Sequence, residues 1–206
     1  MDERAEKIRR AVSAHGAEFI SAEPLYGGAC QENFKVELKH EGKPAKLALR
    51  SDAPSSLPGS LKRRDEYAVI GEAVKAGVRT PAARWLTPNL LRDGADAYFL
   101  DWAPGEAIGR RIVREKELET ARARLPAELA QSLARLHGVK PADAPDLPLS
   151  KPSDRPSIDA LNGLRAQLDK LPIPFPAVEL GVRWLEERAP KKEDVVLVHG
   201  DRKSVV

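Results

Sequence analysis

The chain changes periodicity near its midpoint, and that change limits the folds open to it. Up to residue 102, apolar residues come in short runs separated by glycine, proline and charged turns, as strands require. Beyond residue 105 they recur every three or four positions, as on one face of a helix. Strands gathered in one half and helices in the other argue for an α+β chain, since a parallel sheet would alternate them. The boundaries read as a β-rich lobe over 1–102, a short hinge over 103–105 and a helical lobe over 106–206.

Residues 3–14 are rich in helix formers, with Gly16 as the stop. Strands are expected at 19–25, 33–38 and 46–50, with a turn at His40-Glu41-Gly42-Lys43 between the last two. A Ser/Pro/Gly loop over 51–60 leads to a helix over 61–76. There Glu66, Val69, Ile70, Ala73 and Val74 share one face. Two further strands, 83–86 and 97–102, flank a turn at Asn89–Gly94. The second half shows three stripes. Leu125, Leu129, Leu133 and Leu136 form the first, with Pro126 suited to a helix start. Ile158, Leu161, Leu164, Leu168 and Leu171 form the second, and Val178, Val182 and Leu185 the third. Val195-Val196-Leu197-Val198 reads as an interior strand that delivers His199-Gly200-Asp201 to a site.

Composition excludes several classes. The 206 residues are 42% hydrophobic and 32% charged, which suits a globular chain with a sizeable core. Lys+Arg exceed Asp+Glu by only 34 to 31, so no nucleic-acid partner is expected. No apolar run approaches the roughly 18 residues of a membrane span, and no membrane partner is expected. The acidic start, Met1-Asp2-Glu3, does not resemble a secretory signal, and the one cysteine fits a cytoplasmic location. His15, His40, His137 and His199 lack metal-ligand spacing, so no metal-binding residue is assigned. His137 is expected to cap or pack at a helix end.

Four features could carry chemistry, and each has a plain structural alternative. Tyr26-Gly27-Gly28-Ala29-Cys30 is a glycine-bearing turn whose backbone N–H groups could meet a phosphate, or a simple hairpin. Arg50 ends a strand and could serve phosphates, or sit unpaired on the surface. Glu66 lies on the apolar side of its helix, where it wants a cation; Arg50 is one candidate and Lys62, one turn back, the other. Asp201 could accept a proton from a substrate hydroxyl, or His199-Gly200-Asp201 could be an ordinary turn.

The order of these segments resembles the aminoglycoside phosphotransferase and choline-kinase-like group of small-molecule kinases. It is closest to the broad phosphotransferase branch that includes kinase-like domains linked to acyl-CoA dehydrogenases. The residues that carry the resemblance are Gly27–Phe34, Leu47-Ala48-Leu49-Arg50, Asp65-Glu66-Tyr67, Phe99–Gly105, Leu133–His137 and Leu197–Asp201. The resemblance implies a bilobal protein-kinase-like fold, with a β-rich N-lobe, an incomplete helical C-lobe and ATP in the cleft. Gly27, Gly28, Ala29 and Cys30 would lie over the phosphates, with Arg50 and Glu66 as the ion pair beneath. Leu100, Asp101 and Trp102 would meet the adenine, and Asp201 would be the catalytic base on a small hydroxylated acceptor. The family's metal-binding Asn would fall at Val206, and the magnesium ligands are missing. The expectation is a truncated phosphotransferase with slow transfer and an exposed apolar surface favouring self-association. The alternative is a nucleotide-binding pseudokinase or interaction module without catalysis. The family name alone does not imply action on antibiotics.

Overall fold

A computed structural model describes residues 2–25, 31–54, 60–151 and 153–200. Five antiparallel strands form one sheet in the order β1-β2-β3-β5-β4. They are β1 (Glu18–Leu25), β2 (Gln31–His40), β3 (Lys43–Asp52), β4 (Ala83–Thr87) and β5 (Ala97–Asp101). β2 and β3 run longer than their apolar segments because the ladder pairs every residue from Gln31↔Asp52 to His40↔Lys43. The turn that joins them holds Glu41 and Gly42 at φ 52° and 75°, the twist a two-residue hairpin needs.

Strand alternation sorts the sheet into two faces. Phe34, Val36 and Leu38 of β2, Leu47 and Leu49 of β3, and Ala97 and Phe99 of β5 join one core cluster. Helix α1 (Glu3–Ala14) closes that face with Ile8, Ala11 and Val12. Asp2 caps α1 and Gly16, at φ 72°, follows its end as expected. The intervening residues Asn33, Ala48, Arg50, Asp52, Tyr98 and Leu100 belong to the other face. Helix α2 (Arg63–Lys75) covers part of it.

The second half contains α3 (Gly109–Arg114), a 3-10 turn at Lys116–Leu118, α4 (Glu119–Leu136), α5 (Pro156–Leu168) and α6 (Pro176–Glu187). Arg79 to Glu128 at 2.8 Å, and Arg135 Nη1 to the Gly77 carbonyl at 2.7 Å, tie α4 to the turn after α2. Two expectations, for Pro126 and Val195–Val198, are corrected here, and that for His137 is settled as a cap. Pro126 lies inside α4, because the Ala/Arg/Glu-rich segment from Glu119 onward is itself strongly helix-forming. His137 is the C-cap of α4 but is exposed, so it does not pack. Val195–Val198 forms no strand. Leu197 N–H donates to the Val139 carbonyl at 2.9 Å, yet no strand flanks the segment among the described residues, and Val198 is 60% exposed. An apolar run becomes an interior strand only when neighbours pair with its backbone. No helix among the described residues is long and apolar enough to cross a membrane.

Candidate functional site

The face of the sheet opposite α1 carries one cross-strand row with unusual chemistry: Asn33 on β2, Arg50 on β3 and Tyr98 on β5 stand side by side. Glu66 of α2 comes down onto this row. Its Oε1 accepts from Arg50 Nη2 at 2.8 Å, and its Oε2 accepts from Tyr98 Oη at 2.7 Å. Arg63, one turn before Glu66, also donates to Oε2. Of the two cations weighed for Glu66, the structure selects Arg50; Lys62 contributes only a backbone carbonyl to the Glu66 N–H. Arg50 is correspondingly not a free surface arginine.

Three cationic or hydroxyl donors fix the position of this one carboxylate. Burial pushes the Tyr98 phenol well above the ordinary tyrosine range, so it remains a donor at any physiological pH. Tyr67 packs edge-on against Tyr98, with ring centroids 5.9 Å apart, and holds the phenol's direction. Among the described residues, two buried polar atoms in the row have no hydrogen-bond partner: Arg50 Nε and Asn33 Oδ1.

The next row is built differently. Ala48 of β3 pairs with Leu100 of β5, which pairs in turn with Ala83 of β4, so two small side chains flank Leu100. The Leu100 backbone is held between two strands and has nothing left for a ligand. At the strand's end, Asp101 N–H donates to the Ala82 carbonyl at 3.0 Å and Trp102 N–H to the Lys46 carbonyl at 3.3 Å. The Asp101 carboxylate grips Arg84, with Oδ2 at 2.9 Å from Nη2. At the edge expected to meet the adenine, the N–H groups of Asp101 and Trp102 are therefore already engaged. Recognition there would fall to carbonyls or to the following peptide.

Gly27, Gly28, Ala29, Cys30 and Asp201 lie outside the described residues. What flanks the glycine turn is visible. Glu32, just after it, is held by Arg92 and lies 3.5 Å from Arg4 of α1, and Arg92 also donates to the Asp52 carbonyl. Sequence reasoning missed Asn33, Asp52, Arg63 and Tyr98 as site residues. Strand alternation from Arg50 would have found Asp52, and one helical turn back from Glu66 would have found Arg63. Among the described residues no three His, Cys, Asp or Glu side chains stand together for a metal ion.

Comparison with known proteins adds two findings. Residues 21–204 match the model of a family described as the phosphotransferase enzyme family. A crystal structure of a protein from Ralstonia eutropha JMP134, assigned as an aminoglycoside phosphotransferase, superposes with a TM-score of 0.61 at 18% identity. The match covers 95% of this chain and 56% of that one, so the chain spans little more than half of the relative's length. At that identity the likeness establishes the fold, which is kinase-like. A search of curated proteins returned no match.

Proposed function

Since the chain belongs to the phosphotransferase enzyme family, we propose that it binds ATP and directs its terminal phosphoryl group to a hydroxyl of a small molecule. The observation that carries this reading is the Arg50–Glu66 pair between β3 and α2. Glu66 engages one terminal nitrogen of Arg50, so the guanidinium keeps other N–H donors for phosphate oxygens. The residues present thus fit a polyphosphate.

In this reading the Gly27–Cys30 turn lies over the phosphates, and Leu100, Asp101 and Trp102 border the adenine. Asp201 takes the acceptor's proton as the acceptor oxygen bonds to phosphorus and the bond to ADP breaks. Magnesium, when bound, would neutralise phosphate charge. The described residues supply no group of three ligands for it, and no step here runs through the metal. Val206 stands where the family's metal-binding Asn would fall, so transfer by this chain is expected to be slow. The near balance of charge and the single cysteine support a cytoplasmic role on a small molecule rather than on nucleic acid.

The test is the melting temperature of the full chain with ATP, with and without magnesium, followed by transfer assays on hydroxylated acceptors. ATP at about 100 times its dissociation constant should stabilise the fold by about 2.7 kcal/mol. A cooperative transition that ATP leaves unmoved removes the nucleotide site from the account. A second reading, a nucleotide-binding module without catalysis, draws support from Val195–Val198: the segment leading to Asp201 is not held in a sheet. Binding of ATP with no transfer to any acceptor would favour it.

Self-association belongs to the same proposal. On α6, Val178, Leu180, Trp184 and Leu185 are all exposed, while Val182 alone is buried. A second copy of the chain covering this face is the expected occupant. Light scattering should show a concentration-dependent dimer that Leu180→Glu with Trp184→Glu returns to monomer; a monomer throughout the micromolar range rejects it.

A further inference from the structure

Helix α2 starts without a local cap, since Lys62 at its N-cap makes no side-chain hydrogen bond. The cap comes from the sheet instead. Asp52, at the end of β3, accepts from the Arg63 N–H through Oδ1 at 3.1 Å. The guanidinium of the same Arg63 folds back, with Nε 3.4 Å from that oxygen. Nη1 reaches Glu66, and Nη2 donates to the Leu61 carbonyl at 2.7 Å. The Arg63 side chain is only 6% exposed, and no other charged residue among those described is buried. A guanidinium taken out of water must be paired well or it destabilises the fold, so this placement needs both acids.

We propose that the Asp52–Arg63 pair is a positioning pair for the nucleotide site: it sets the register of α2 on β3, so that Glu66 meets Arg50. The inference rests on the ATP-binding reading above and adds residues to it. Two residues apart on a strand, Arg50 and Asp52 share a face. Three apart on a helix, Arg63 and Glu66 share a face as well. The two spacings match, and the result is a square of alternating charge: Arg50 to Glu66, Glu66 to Arg63, Arg63 to Asp52. Sliding or rotating the helix along the strand would bring like charges together, so the square has one stable register.

The square also divides the work of Glu66. Arg63 and Tyr98 hold Oε2, which leaves Oε1 to Arg50. Arg50 can then turn its remaining donors to a phosphate while Glu66 stays where it is. Without Arg63, the carboxylate would depend on Arg50 for its only cation, and the two demands on that guanidinium would compete.

The experiment measures ATP affinity by calorimetry on the full chain, at a temperature where circular dichroism shows each variant folded. Arg63→Gln and Asp52→Asn should each raise the ATP dissociation constant about tenfold, and Arg63→Lys should recover part of the loss. In a Glu66→Gln background, Arg63→Gln should add little, because its effect passes through that carboxylate. Arg63→Gln that melts earlier yet binds ATP as tightly as wild type reduces Arg63 to a structural residue and overturns the proposal alone. An effect undiminished in the Glu66→Gln background overturns it too. If wild type binds no ATP, the nucleotide reading fails and the positioning role goes with it. Should Arg63→Gln not fold, Arg63→Lys and Asp52→Asn carry the same comparison.

Discussion

The sheet and the helical half are built to different standards. In the first, α1 and the strands β2, β3 and β5 enclose a continuous core whose Val36, Leu49 and Phe99 are fully buried. In the second, the only buried side chains among the described residues are Leu136, Ala144, Leu161 and Val182, while Ile173, Phe175, Leu180, Trp184 and Val198 lie exposed. The sheet is therefore held by a continuous apolar core, whereas the helices rest more on hydrogen bonds and ion pairs such as Arg79–Glu128 and Arg165–Glu186. The candidate site follows the same division. Every described residue proposed to meet the phosphates sits on the sheet or on α2. The side expected to bring the acceptor and the base is the side with the thinner core.

The widest test of that difference is one deletion made twice. Leu49→Ala removes a fully buried side chain and should destabilise the fold by about 2–5 kcal/mol. Leu180→Ala removes the same atoms from a site 69% exposed and should change stability by no more than about 0.5 kcal/mol. Denaturant melts decide it. Equal losses would mean that the helical half is buried in solution by something that covers α6.

Two ion pairs sharpen the comparison. Arg50→Ala should abolish the shift in melting temperature that ATP produces, because Arg50, paired with Glu66, is the phosphate donor proposed on the sheet. Arg165→Ala breaks the pair with Glu186 that joins α5 to α6, and it should leave that ATP shift unchanged. If both variants lose the ATP response, the nucleotide depends on the helical half as well, and the sheet alone is not the binding lobe.

What could be read from the amino-acid order, and what could not, divides along the same physical line. Strands with alternating residues, the Glu41-Gly42 turn and the Gly16 stop are set by local chemistry and stand where expected. Arg50 and Glu66 were legible because each has a meaning on its own element, a strand-end cation and an acid on an inward helix face. Arg63, Asp52 and Tyr98 were not, because their roles exist only once β3, β5 and α2 are brought together. Pro126 misled because proline suits a helix start, yet the helix-forming residues before it were enough to carry α4 through. Val195–Val198 misled because hydrophobicity marks a candidate strand while pairing makes one. Neither α2 nor α5 has a side-chain cap from its own N-cap residue; each receives an acid from far along the chain.

The second of these remote caps gives the smallest expected effect, confined to the helical half. Glu193 accepts from the Ser157 N–H at 2.8 Å and from Ser157 Oγ at 2.6 Å, with Arg155 Nε at 3.1 Å. Those bonds, Ser157's first, hold the Glu193 carboxyl below its ordinary value of 4.5. With the folded value depressed, the contribution to stability is complete above pH 4.5. It fades as pH falls further, because the unfolded chain takes up its proton first. The start of α5 should therefore loosen before the sheet does in an acid titration followed by hydrogen exchange at α5 amides. Ser157→Ala should flatten that acid response while leaving exchange at β3 and β5 as it was. An α5 whose amides are as well protected, relative to their intrinsic exchange rates, at pH 4 as at pH 7 would show that packing, rather than this cap, holds the helix, and the division between the two halves would be narrower than the structure draws it.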